Sequence, residues 1–345
     1  MKRRTSRGKR WKGLVWLAVA GVGSLAAAGQ QTSQLPSAPS AASSAHEPAV
    51  ESPRSSDPVL AECLRLIDQR RYSDAEGKIR AYLRDHPGIA AAHFLLGYTL
   101  YRENKPRESL AEYTSGARLQ TPGAGDLAAV AMDYILLRDY ADADKWLTQA
   151  TAWSPGNELY WYYLGRTKYV ENRFQEAIAA FNKCLVLKPQ DLRAEYNIGL
   201  AYAGLNRDDQ AIAAYRTAIA WEQGSAVQDP QPWLDLGILL LQESHPDQAV
   251  EPLRKAASLD PQNARAHEEL GQAWLQLQNL PKADAEMQAA VALAPDIPSL
   301  HFEMGRIFQR EGLTAKAKQE FDRCAALNAT HSTDSAETPN PPPRE

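Results

Sequence analysis

A small residue returns along this chain at a fixed interval. Ala75, Ser109, Ala143, Ala177, Ala211, Ala249, Ala283 and Ala317 are separated by 34, 34, 34, 34, 38, 34 and 34 residues. A second series runs in step with the first: Gly97, Ala131, Gly165, Gly199, Gly237, Gly271 and Gly305, with Cys63 holding the first place. Pro87, Pro122, Pro155, Pro189, Pro261 and Pro295 close most of the intervals. A period of this length makes each interval one supersecondary unit, and it constrains the chain to an array whose units stack on their neighbours.

The interval Glu158–Asp191 shows what the unit is. Trp161, Leu164, Gly165 and Lys168 fall on one helical stripe. A polar break at Glu171–Arg173 follows. Ala177, Phe181 and Cys184 then form a second stripe, and Pro189 ends it because proline cannot continue a helix. Gly or Ala midway along a helix lets two backbones approach closely. Neither helix alone has a partner for its apolar face, so stacking supplies it. Abundant alanine with little Val or Ile favours helix over sheet. Pro106, Pro246 and Pro281 are expected in the turns between helices, and Pro252 is expected to bend a second helix.

The order W-x2-LG-x2-Y, then A-x3-F-x2-A, then P, on a period of 34, resembles the tetratricopeptide repeat. The resemblance implies an all-α, right-handed solenoid of about eight helix-turn-helix repeats over 56–331. The units are 56–89, 90–123, 124–157, 158–191, 192–229, 230–263, 264–297 and 298–331. Repeat five is longer by four residues near Gly224–Asp229. Repeat three carries Leu127 and Val130 where Trp and Leu are usual, and repeats one and eight diverge most. Without a further helix, the last pair lacks a polar cap, which leaves Phe321 and Leu327 partly exposed or covered by a partner.

The ends differ from the array. Lys2, Arg3, Arg4, Arg7, Lys9, Arg10 and Lys12 precede an apolar run from Leu14 to Ala28, shorter than the roughly 20 residues of a membrane span. A basic start, a short apolar run and small residues before Gly29 read as a secretory signal peptide over 1–29; an uncleaved anchor at 14–28 is the alternative. The protein is therefore expected to be exported, periplasmic or secreted, and bacterial. Residues 30–55 are rich in Ser, Ala and Pro and read as a disordered linker; 332–345 read as a disordered tail. Residues 1–29 carry seven basic and no acidic side chains, so their removal takes the net charge from −4 to −11. An acidic mature chain argues against nucleic acid or an anionic membrane surface as partner. Contact with a membrane is expected only through an uncleaved N-terminal segment. Cys63, Cys184 and Cys324 lie in repeats one, four and eight, too far apart in a stacked array to bridge, and read as small core residues.

No metal-ligand spacing, phosphate loop or nucleophile elbow is present, so no catalytic, cofactor or metal site is expected, and the chain reads as a non-enzyme. His93, His267 and His301 occupy the same repeat position as Trp161 and Trp233, a shared packing slot with a polar edge. The resemblance places the first helix of each unit on the inner wall of the superhelix. Phe94, Tyr98, Tyr101, Met132, Ile135, Tyr162, Arg166, Tyr169 and Tyr196 would then face a groove suited to an extended peptide or an inserted helix of a partner. The bland alternative is that these rings pack between neighbouring repeats. From repeat six the wall turns polar, through Gln242, Arg265, Gln272, Gln276, Arg306 and Arg310. The carboxylate-gripping mode of the family needs a lysine at the fifth position, and none stands there; Asn197 alone matches. The expected function is a protein-binding scaffold, in envelope assembly or secretion. Self-association through the C-terminal repeat and a repeat-built enzyme are the alternatives.

Overall fold

A computed structural model describes residues 57–222 and 228–336, with side chains through 329. The expected signal segment and linker lie outside the described residues, as does the end of the chain from 337. Among the described residues there are sixteen helices and no strand. They pair along the sequence as α1 (Pro58–Asp68) with α2 (Tyr72–Asp85), α3 (Ala90–Arg102) with α4 (Pro106–Leu119), and α5 (Ala124–Leu136) with α6 (Tyr140–Trp153). Next come α7 (Glu158–Val170) with α8 (Phe174–Leu187), and α9 (Leu192–Gly204) with α10 (Asp208–Glu222). The last pairs are α11 (Pro230–Gln242) with α12 (Pro246–Leu259), α13 (Ala264–Gln276) with α14 (Leu280–Leu293), and α15 (Pro298–Arg310) with α16 (Thr314–Ala336). The two helices of each unit pack on each other, and the second helix of each of the first seven units also packs on the first helix of the next, which is the stacking the period requires.

The turn inside each pair is the same eight times. The residue at the fifteenth position of the unit is left-handed: Arg70, Asn104, Arg138, Asn172, Asn206, Ser244 and Gln278 have φ between 54° and 61°, and Gly312 has φ 77°. The N–H that follows reaches back to the carbonyl five residues earlier, as in Arg71 to Leu66, Arg173 to Lys168 and Leu313 to Phe308, at 2.8–2.9 Å. This is a Schellman closure, which satisfies the last carbonyls of the first helix and reverses the chain. Pro106, Pro246 and Pro281 do not sit in the turns. They lie in the first turn of α4, α12 and α14, where a missing N–H is harmless. Pro252 is buried inside α12, which runs through it without interruption.

The two small-residue series meet at the centre of each pair. The alanines and Ser109 that open the second helices are 0–3% exposed. At Gly199 an added Cβ would stand 2.5 Å from the Tyr215 ring, and at Gly165 it would stand 2.7 Å from Phe181. The aromatic ring of the second helix thus lies directly on the backbone of the first. Cys63 and Cys184 are buried and Cys324 is half-buried; all three are free thiols. Burial pushes the Cys184 thiol up to about 12, consistent with an inert core residue.

The last repeat departs from expectation. α16 continues to Ala336, five residues into the expected tail, because Ala-rich sequence meets no proline before Pro339. Leu327 is 8% exposed and Phe321 is half-buried, so the end is better covered than its sequence implies. The extra residues of repeat five fall between Glu222 and Pro230, where Glu222 accepts a hydrogen bond from the Asp229 N–H at 2.7 Å.

Candidate functional site

Successive first helices approach each other (α1 with α3, α3 with α5, α7 with α9, α11 with α13), whereas successive second helices do not approach to the same degree. The first helices therefore lie on the inner side of the curve. Their second, fifth, ninth, twelfth and thirteenth positions form the wall, and the residues expected to grip a partner divide sharply there.

Phe94, Tyr98, Met132, Tyr162 and Tyr196 are only 5–8% exposed. Phe94 stacks on Tyr113 with ring centroids 6.1 Å apart, and Tyr196 meets Tyr215 at 5.8 Å. Tyr162 meets Phe181 at 6.0 Å and Tyr163 edge-on at 5.5 Å. These five are inter-helix packing residues rather than open anchors. For the fifth-position rings Phe94, Tyr162 and Tyr196 the reason is geometric: the glycine at the eighth position lets the second-helix ring lie on its backbone, and the fifth-position ring packs against that ring. Tyr101, Ile135, Arg166 and Tyr169 keep partial exposure, and Leu136, which sequence reasoning passed over, is 45% exposed. Tyr196 also donates from its hydroxyl to Asp235 Oδ2 at 2.6 Å, tying repeat five to repeat six.

Two clefts open on the wall, of opposite character. One lies between repeats three and four and is lined by Met132, Ile135, Tyr140, Tyr163, Arg166 and Thr167. The other lies between repeats seven and eight and is lined by Gln272, Leu275, Gln276, Gln278, Glu303, Arg306 and Arg310. Near the second, burial raises Glu268 to about 7, with help from the negative charges of Glu269 and Glu303. Burial also raises Glu269, although Arg265 opposes the shift. Arg306 is paired to Glu303 at 2.8 Å.

The histidines turn out to be staples. His93, His267 and His301 each place Nδ1 2.7 Å from a glutamate nineteen residues on, Glu112, Glu286 and Glu320. The signal was legible: wherever the fourth position is His, the twenty-third is Glu, and in no other repeat is it so. Nε2 of His93 and His301 faces the carbonyl of Pro87 and Pro295, the bond that Trp161 makes to Pro155 from the same slot. Among the described residues no group of three or more His, Cys, Asp or Glu side chains is placed to hold a metal ion.

A second polar contact was not foreseen. Ser109 is the one exception among the alanines of its series, and it sits 2.8 Å from the Gly97 carbonyl oxygen and 2.5 Å from Asp133 Oδ2. A hydroxyl has one proton, and a carbonyl can only accept. Ser109 therefore donates to Gly97, and a protonated Asp133 donates to Ser109. Asp133 is fully buried, and burial raises its carboxyl to about 8.

Stacked helix pairs with a shared left-handed turn and an inner wall of first helices define an α-solenoid repeat protein. The sequence matches the tetratricopeptide repeat family over residues 60–124, 158–191, 192–224 and 234–298, together more than half of the chain, and the chain belongs to that family. Repeats three and eight fall outside those matches, yet they are built from the same helix pairs. Curated relatives include anaphase-promoting complex subunit 3 of Schizosaccharomyces pombe, 24% identical over 51% of this chain and 26% of that protein. A peroxisomal targeting signal receptor of Kluyveromyces lactis is 33% identical over 22% of this chain and 14% of its own. The chain thus spans about a quarter or less of these relatives. Among solved structures, YrrB, described as a TPR protein with an unusual peptide-binding site, aligns with a TM-score of 0.48 at 18% identity, covering 54% of this chain and 94% of that one. MamA from Desulfovibrio magneticus RS-1 aligns with a TM-score of 0.47 at 20% identity, covering 50% and 96%.

Proposed function

We propose that this chain is a scaffold that binds a segment of a partner protein along the inner wall of repeats two to five. The observation that carries the reading is the exposed apolar seam there: Leu136 is 45% exposed beside half-buried Tyr101, Ile135 and Tyr169. Apolar surface left open on a continuous wall favours burial against another chain. The basic and apolar N-terminal stretch supports export, and with it a place in envelope assembly or secretion; no described helix is long and apolar enough to cross a membrane. A photo-crosslinking residue at Leu136 is expected to form a discrete protein adduct in the native compartment, lost in Tyr169→Asp. Absence of any adduct at Leu136 and at Ile135 would refute the reading. Fractionation with N-terminal sequencing tests the export step, the expected mature start lying near Gln30.

A second reading rests on repeat eight. Phe302 is 47% exposed and meets the Phe321 ring at a tilt with centroids 5.7 Å apart, and Leu313 is 41% exposed. These residues suit self-association of the C-terminal repeat. A monomer at all concentrations in light scattering, unchanged by Phe302→Ser, rules it out.

A further inference from the structure

The cleft between repeats three and four contains a charge without a partner. Arg166 projects from the ninth position of α7, at the edge of an apolar pocket formed by Met132, Ile135 and Tyr163. Its Nε is buried from solvent and has no hydrogen-bond acceptor. No carboxylate among the described residues lies within ion-pair distance of its guanidinium, and its one charge-related contact is the Tyr162 ring, 5.9 Å from the guanidinium carbon. Other arginines near it are placed differently. Arg193, 4.8 Å from the centroid of the same ring, is held by Asp191 at 2.9 Å. Arg173 bonds Asp144 at 2.7 Å and Glu176 at 2.6 Å. A buried guanidinium N–H left unpaired is costly, because its hydration is lost and nothing replaces it.

The surroundings sharpen this. At the second, fifth, sixth, ninth, twelfth and thirteenth positions of repeats two to five the charged residues are Arg102, Arg166 and Arg193, and no Asp or Glu occurs. The wall chain itself thus offers Arg166 no counter-charge. From repeat six the same positions carry Asp235, Glu268, Glu269 and Glu303 together with Arg265, Arg306 and Arg310, of which Arg265 pairs with Glu269 and Arg306 with Glu303. The wall is cationic and apolar over one half and of mixed, internally paired charge over the other.

We propose that the cleft between repeats three and four receives an aspartate or glutamate side chain of an extended partner segment, with Arg166 as its counter-charge. An apolar side chain of the same segment lies against Ile135 and Tyr163. The inference rests on the inner wall of repeats two to five being the binding face. The occupant is an internal acidic side chain rather than a chain end. A terminal carboxylate calls for several converging donors, whereas here one guanidinium fork stands in a wall that continues past it on both sides.

The test uses the full chain and short peptides, acetylated and amidated, in which Leu alternates with Glu, beside matched peptides carrying Gln for Glu. The Glu peptide is expected to bind about tenfold more tightly than the Gln peptide at low salt, the range of one charge-assisted hydrogen-bonded pair. Arg166→Met is expected to erase that ratio, and Arg166→Lys to keep part of it. Because Arg166→Met removes an unsatisfied donor, it is expected to fold, which circular dichroism checks. An unchanged ratio in Arg166→Met, or no binding of either peptide, overturns the inference. So does Arg166-dependent preference for a free-acid peptide with no internal acid. If Leu136 still crosslinks a partner in those cases, the wall reading survives and only the carboxylate assignment fails. If the crosslink is also missing, the wall reading has failed by itself.

Discussion

Repeats two to five and repeats six to eight are built on one backbone plan, yet they handle acid differently. In the first region the carboxyl group that departs most from its ordinary state is Asp133, sealed between α4 and α5 and hydrogen-bonded to Ser109. In the second it is Glu268, on the wall near Glu269 and Glu303. Both are raised, Asp133 to about 8 by burial and Glu268 to about 7 by burial with like charge added. Titrating the first alters the joint between two repeats. Titrating the second alters the charge of a surface a partner can reach. Packing and wall chemistry are thus separate variables on a shared frame, and each change below tests that separation.

The largest effect is expected at Asp133. Its folded pKa lies above the unfolded value, so between pH 4 and 8 the folded chain holds a proton that the unfolded chain has lost. Stability from this group is full below pH 4 and declines as pH rises toward 8. At about 1.4 kcal/mol per unit, the full decline is on the order of several kcal/mol. Asp133→Asn keeps a donor for Ser109 and carries no charge. It is expected to raise the unfolding midpoint at pH 8 and flatten its pH dependence in urea titrations. An unaltered slope would mean that Asp133 is not the protonated partner of Ser109.

The glycines come next. Gly199→Ala drives a methyl group to 2.5 Å from the Tyr215 ring, whereas at Gly271 the nearest atom beyond the helix is 3.4 Å away. Overpacking of the first kind costs about 1–3 kcal/mol. Gly271→Ala is expected to be neutral or to gain up to about 1 kcal/mol from the better helix former. Paired thermal melts measure the contrast. Equal losses in both would show that the rigid ring of repeat five and the flexible Met287 of repeat seven resist alike.

Why the sequence disclosed the frame better than the wall follows from these cases. Period, turn and stop are written in residue types that physical chemistry restricts: glycine under a ring, alanine at a close approach, proline after a helix. The family and the helix pairs were therefore readable before any coordinates. The fifth-position rings were misread because an aromatic residue suits a groove and a core equally; only its distance to the second helix decides, and Tyr162 and Tyr196 went inside. Ser109 with Asp133 is a compensated pair across two units, visible only once they are stacked. The His–Glu staples could have been seen by comparing two positions across eight units instead of one.

Glu268→Gln is expected to act in the same direction as Asp133→Asn but to a lesser degree. The window is pH 4.5 to 7, and the gain above it is about 1 kcal/mol once solvent screening is allowed for. Salt separates the two sites. Repulsion from Glu269 and Glu303 weakens as ions are added, whereas the desolvation of Asp133 does not. The pH dependence attributable to Glu268 should therefore shrink in high salt, and that of Asp133 should persist. Persistence of both would assign Glu268 to burial alone.

The smallest expected effect is one that should not distinguish the regions at all. Arg138 in repeat three and Gln278 in repeat seven occupy the same left-handed turn, at φ 61° and 59°, and both are exposed. A side chain there carries strain that glycine avoids, on the order of 1 kcal/mol, and glycine returns part of that through its freer unfolded chain. Arg138→Gly and Gln278→Gly should each raise stability by about 0.5 kcal/mol, as Gly312 already does in repeat eight without engineering. Measured under one buffer, the two gains are expected to agree. A gain at one position and a loss at the other would mean that the turn is not common to the array, and that the two walls differ in backbone as well as in side chains.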